Sequence, residues 1–126
     1  MRGGQDFDVH AGDNPPVTFE LRREDPTLPF ESWPVLDLAL LSDLEWGLSA
    51  LPSAMARVPP NLLTKKLSTG GIVVDDPAQG IVRLVLATAD LEREPGDYSH
   101  QLRGTFASGV RDTLAEGVVR IKHSPL

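Results

Sequence analysis

The sequence predicts an all-β fold, an antiparallel β-sandwich of seven or eight short strands, and three observations carry that prediction. The first is the stretch from Leu67 to Leu86. There a glycine corner at Gly70 and Gly71 and a short apolar run lead into a turn built from Asp75, Asp76, Pro77 and Gly80. A strand alternating through Val82, Leu84 and Leu86 follows. That order is the chemistry of a tight β-hairpin. The second is the run Pro95-Gly96-Asp97-Tyr98, a turn that opens another strand pair. The third is composition: 11 Gly and 11 Pro in 126 residues exceed what a helical bundle carries and favour strands joined by turns.

Taken in order, Phe7 and Val9 alternate with Asp6 and Asp8. The cluster Gly12-Asp13-Asn14-Pro15-Pro16 then forces a turn before Val17, Phe19 and Leu21 alternate with Thr18, Glu20 and Arg22. Two strands around one turn are expected there. Pro26, Pro29 and Pro34 bar a central strand from the next segment, which reads as a loop whose Phe30 and Trp33 fold back or face a partner. From Asp43, the order Leu44, Trp46, Leu48 against Glu45, Gly47, Ser49 predicts a half-buried strand anchored by Trp46. Pro52, Pro59 and Pro60 mark a long connection, with a helical turn near Ala54, Met55 and Ala56, before an extended run over 62–67. Thr88 with the Glu residues that follow predicts a single helical turn closed by Pro95 and Gly96. Tyr98, His100 and Leu102 open a strand that turns at Ala107-Ser108-Gly109 into a last strand over 111–122, a second hairpin. The expected core is Phe19, Trp46, Leu84, Leu86, Tyr98, Leu102 and Ile121. Each fully buried large side chain is worth about 1.5–3 kcal/mol.

The length fits one domain over 1–126, with a short N-terminal arm (1–8) and a C-terminal tail (123–126). Hydrophobic residues at 40% and charged residues at 24% are an ordinary globular balance. A net charge of −6, with twelve Lys and Arg scattered among eighteen acids, argues against a nucleic-acid surface, which needs a basic stripe. No cysteine is present, so there is no disulfide frame, thiolate nucleophile or zinc-thiolate site. The N-terminal residues lack an apolar signal core, and the apolar runs are broken by Asp37, Asp43, Asp75 or Arg83, so neither a signal peptide nor a membrane span is expected.

Catalytic chemistry finds little support. His100 lies three residues after Asp97, and Asp13 three after His10, a spacing on which a hydrolytic or metal-binding pair could be built. Neither comes with a serine elbow or a His-Glu-x-x-His helix, and His123 falls in the tail, so His100 is expected on a strand surface. Asp75 and Asp76 could ligate calcium with Gln79, but Asp-Asp-Pro followed by glycine is also good turn chemistry. Gly70-Gly71 lacks the lysine and following helix of a phosphate loop. Neither a catalytic residue nor a cofactor is therefore expected. A carbohydrate-binding module remains as an alternative, with Trp33 as the stacking aromatic if it lies exposed on a flat patch.

Several of these motifs occur in a telling order. Gly12-Asp13-Asn14 precedes the Val17 strand. Leu44-Glu-Trp-Gly-Leu, Ser68-Thr-Gly-Gly-Ile-Val-Val-Asp-Asp with Gly80, Leu91 before Pro95-Gly96-Asp97-Tyr98, and Glu116-Gly117-Val118-Val119 follow. Over nearly the whole chain this order resembles the immunoglobulin-like N-terminal domain of tailed-phage baseplate upper proteins and its free-standing relatives in phages and prophages. The resemblance implies a non-enzymatic virion structural protein, made in the host cytoplasm and built into the tail, collar or baseplate. Such a part docks on portal, adaptor, tail, baseplate or fibre proteins in multiple symmetric copies; decoration of the capsid is the nearest variant. Contacts are then expected from the arm 1–8, from Phe30 and Trp33, and from the loop carrying Pro52, Met55, Pro59 and Pro60, because loops and open strand edges are what a neighbour can complete.

Overall fold

Alternating side chains place the core between two sheets. The computed structural model describes residues 3–4, 6–23, 25–50 and 61–123. Among them the strands are β1 (Gly3–Gly4), β2 (Phe7–His10), β3 (Val17–Glu20), β4 (Leu41–Ala50), β5 (Asn61–Lys66), β6 (Ile72–Asp76), β7 (Ile81–Leu84), β8 (Gly96–Phe106) and β9 (Arg111–Lys122). One sheet has the order β1-β9-β8-β4-β5, with β2 also on β9, and the other the order β3-β7-β6. The all-β sandwich predicted from the sequence is what the chain forms.

Both predicted hairpins are present. β6 pairs with β7 in the register Ile72↔Leu84, and the Asp76 carboxylate accepts the Ala78 and Gln79 N–H groups to close the turn. Asp75 is not part of that turn: it lies in β6 and pairs with Arg83 across the hairpin at 3.1 Å. β8 and β9 pair over their length, from Gly96↔Ile121 to Thr105↔Arg111. The Gly70-Gly71 corner carries the chain from β5 in one sheet to β6 in the other, with the Gly71 N–H on the Lys66 carbonyl.

The two strands expected around the turn at 11–16 are both present; β2 belongs to the larger sheet and β3 to the smaller, so the chain crosses the sandwich there. Three expectations change. The residues read as an N-terminal arm are partly strand: Gly3, Gly4 and Phe7–His10 pair with β9, and they do so in parallel within an otherwise antiparallel fold. The segment after Thr88 is a run of turns, not helix; Asp90 organises it by accepting the Ala87 N–H at 2.7 Å. β7 ends at Leu84, so Leu86 lies beyond it and is half-buried.

The core holds Phe19, Trp46, Leu84, Leu102 and Ile121 as expected, together with Leu21, Leu44, Leu48, Ile72, Val82, Leu91 and Val119. Tyr98 is half-buried at its margin, with its hydroxyl donating to the Glu94 carbonyl at 2.6 Å. Polar clamps tie connections to the sheets. Asp43 accepts the Leu44 and Ser68 N–H groups and the Ser68 hydroxyl, and the Lys65 ammonium meets Asp90 at 2.8 Å.

These clamps make stability depend on acid. Burial raises the Asp43 and Asp90 carboxyls, but the Ser68 donors on Asp43, the Lys65 and Ala87 donors on Asp90, and the neighbouring Lys66, Lys65 and Arg93 charges more than offset it, holding both below the usual carboxylate range. Their contribution is therefore present above the unfolded value of about 3.9 and is lost as pH falls through the lower folded values. The Asp43→Asn, Asp90→Asn double variant should unfold at lower urea than the parent at pH 7, with the gap narrowing below about pH 4 as the parent's own carboxylates protonate. Urea midpoints across pH 7 to 2.5 check this, and a constant gap would refute it.

Candidate interaction surface

The chain gathers residues 21–23, 25–40, 77–80 and 107–110 at one end of the sandwich. Leu21 donates to the Gly80 carbonyl at 2.8 Å and accepts from Leu36 at 3.0 Å, while Ala107 donates to the Leu40 carbonyl at 2.9 Å. Arg22 fixes the long loop among them. Its guanidinium donates to the Glu31 carbonyl at 2.6 Å and more distantly to Phe30 and Trp33, it pairs with Glu20, and it lies 5.4 Å from the centre of the Phe30 ring. Arginine suits this task because its planar fork serves several acceptors at once.

Of the courses open to Trp33, folding back on the core, facing a partner or stacking on a sugar, the chain takes the first: it is 7% exposed, its indole N–H donates to the Leu28 carbonyl and its ring packs edge-on against Phe30. It is a plug for the end of the sandwich and offers no stacking platform. Phe30 is half-buried against it. The apolar exposure of this end lies elsewhere, in Val110 at 59%, Leu40 at 51%, and Leu28 and Val35. Between loop and hairpin, Arg22, Arg23, Trp33, Leu36, Phe106, Asp112, Thr113 and Leu114 line a cleft of about 60 Å³. That is far below the roughly 300–1,000 Å³ of small-molecule sites. The contact candidates Pro52, Met55, Pro59 and Pro60 lie outside the described residues.

The titratable pairs singled out in the sequence do not assemble. Asp97 binds Arg120 at 3.1 Å on the outer face of its sheet, and His10 is exposed with its Nδ1 2.9 Å from the His123 carbonyl oxygen. His100 is not on a strand surface. It is 1% exposed between the sheets, its Nδ1 accepting the Trp46 Nε1–H at 3.1 Å and its ring centre 5.3 to 6.0 Å from those of Phe7, Phe19 and Trp46. Asp75 and Asp76 are engaged with Arg83 and the turn amides, and no group of three or more His, Cys, Asp or Glu among the described residues could hold a metal ion. No helix among them is long and apolar enough to cross a membrane.

The strand order defines the class. β3-β7-β6 facing β9-β8-β4-β5 is the B-E-D and G-F-C-C′ arrangement of an immunoglobulin-like sandwich. Its other marks are in place: a buried tryptophan, Trp46, on β4 in the C position, and a tyrosine corner, Tyr98, whose hydroxyl reaches back to Glu94. The position two residues after that tyrosine, where antibody domains carry the second cysteine of the inter-sheet disulfide, holds His100. The side chain it meets from the opposite sheet is Phe19. The chain is an immunoglobulin-like domain with an aromatic contact in place of the disulfide.

No family model matches the chain, and no curated protein matches it. Among solved structures it is similar to extracellular domains 3-5 of Drosophila OTK, at 14% identity and a TM-score of 0.31, over 97% of this chain and 33% of that one. The chain spans about a third of the length of that structure.

Proposed function

We propose that this chain is a non-enzymatic immunoglobulin-like building block that works by being held between protein neighbours, in the setting of a tailed-phage virion at the tail, collar or baseplate. The observation that carries the docking reading is the loop end. Its backbone is pinned by Arg22 and by the contacts among 21–23, 25–40, 77–80 and 107–110, while Leu40 and Val110 project apolar side chains into solvent. A rigid platform with exposed apolar groups favours association, because its loops need no further ordering on binding. The phage setting is supported by the order of turn and core motifs from Gly12 to Val119. The net charge of −6 favours partners that present basic patches. The sugar-binding alternative loses its stacking aromatic, since Trp33 is covered.

The test is a cryo-EM map of particles assembled with the chain, beside particles assembled with the Leu40→Asp, Val110→Asp variant. Several symmetric copies on tail, collar or baseplate, seated through the loop end and lost in the variant, are the expected result. Copies on the capsid shell would make it a decoration protein. Its absence from purified particles would overturn the virion reading, and occupancy unaffected by the variant would overturn the loop-end contact.

A further inference from the structure

The strongest unassigned feature is the buried imidazole of His100. An indole N–H can only donate, so the bond from Trp46 requires Nδ1 to carry no proton, and the neutral ring then keeps its hydrogen on Nε2. Any contact at Nε2 is made by an N–H that the neutral and protonated rings share, so protonation changes the Nδ1 side alone. A proton there sets two donors against each other and places a positive charge between two apolar sheets, where desolvation is costly.

Among the described residues, the charged groups on β2, β3, β4, β8 and β9 that flank the ring are exposed or engaged elsewhere. On β2, Asp6, Asp8 and His10 alternate outward from Phe7 and Val9; on β3, Glu20 is exposed. On β4, Asp43 is engaged with Ser68 and Glu45 with Lys66. On β8, Asp97 is paired with Arg120 and Arg103 with Gln101, and on β9, Glu116, Arg120 and Lys122 are exposed. Of the three rings around His100, Phe19 and Trp46 are buried, whereas Phe7 is half-buried on a strand of four residues at the sheet edge. Water reaches the imidazole most readily by displacing Phe7.

We propose that His100 is a proton-operated latch on the N-terminal strand: protonation at Nδ1 expels the Trp46 bond, and hydration of the charged ring displaces Phe7 and loosens β2 from β9. Among the described residues β2 pairs with β9 alone, so its release leaves the other described ladders intact.

Hydrogen exchange on the full chain tests this, comparing the amides of Phe7–His10 with those of Trp46–Leu48 at pH 7.5 and 5.5 after correction for intrinsic rates. Histidine titrates ordinarily near about 6.5, and one proton taken up on opening multiplies the opening equilibrium by about tenfold per pH unit below that. The expected result is that β2 opens by that factor in the parent while β4 changes little. In His100→Gln, whose amide oxygen can accept the Trp46 N–H but does not titrate, β2 should be insensitive to pH. Equal pH responses in parent and variant would overturn the proposal. If His100→Gln does not fold, the Trp46 indole N–H and the three imidazoles are followed by NMR in the parent. The indole signal should shift together with His100 protonation and independently of His10 and His123. An indole signal that holds while His100 titrates, or a ring that stays neutral down to global acid unfolding, would equally overturn it.

Discussion

Replacing Trp46 with alanine should lower the unfolding free energy by about 3–5 kcal/mol, the range for deleting a buried large aromatic. Most domains of this size have only about 5–15 kcal/mol in total, so the variant should be largely unfolded at mild denaturant. Trp46 is fully buried, and its indole N–H is the donor to His100 Nδ1. The alanine variant therefore loses apolar burial and strands a buried acceptor. Trp46→Phe separates the two: it keeps much of the packing and removes the donor, with an expected loss of about 1–3 kcal/mol. Urea unfolding followed by far-UV circular dichroism measures both. A Trp46→Ala protein within about 1 kcal/mol of the parent would mean that the two sheets do not close on this residue.

Gly80→Ala should cost about 2–3 kcal/mol, far more than an alanine at a surface turn normally does. Two effects coincide. Gly80 has φ of +68°, and a Cβ there would lie 2.6 Å from the Leu21 carbonyl oxygen and 3.1 Å from Val35. The obstruction is backbone, so it cannot swing aside, and relief requires the turn at 77–80 to move away from Leu21 and Val35. Gly109→Ala is the control: φ is +92° there but nothing lies within 4 Å of the added carbon. It should show the strain of left-handed backbone alone, about 1 kcal/mol. Equal losses at the two positions, read from denaturation midpoints, would show that the loops at this end are not locked together.

Strand identity was legible wherever one face meets the core and the other meets water, which is why Leu44, Trp46 and Leu48 on β4 were found from alternation alone. Which sheet a strand joins was not legible. The turn at 11–16 says only that the chain changes direction, and hairpin and crossover share the same glycine and proline chemistry. Leu86 kept the alternation of β7 but lies past the last paired residue. The candidate surface was half visible: Phe30 and Trp33 do lie at the loop end, yet Trp33 packs inward because its indole N–H finds a carbonyl there. His100 was misplaced because one polar residue in an alternating strand reads as solvent-facing. The signal that locates it is Tyr98 two residues earlier, together with the alternation that puts Leu102 inward on the same face.

The parallel course of β2 alongside β9 has a practical corollary for anyone handling the molecule. Gly3 sits beside Ala115, four residues along β9 from Arg111, or about 13 Å of strand from the 107–110 turn. Cargo joined ahead of Gly3 would thus lie nearer the loop end that carries Leu40 and Val110 than cargo joined after His123. The same cargo attached downstream of His123 would leave by the far pole, beside His10, and keep the loop end open.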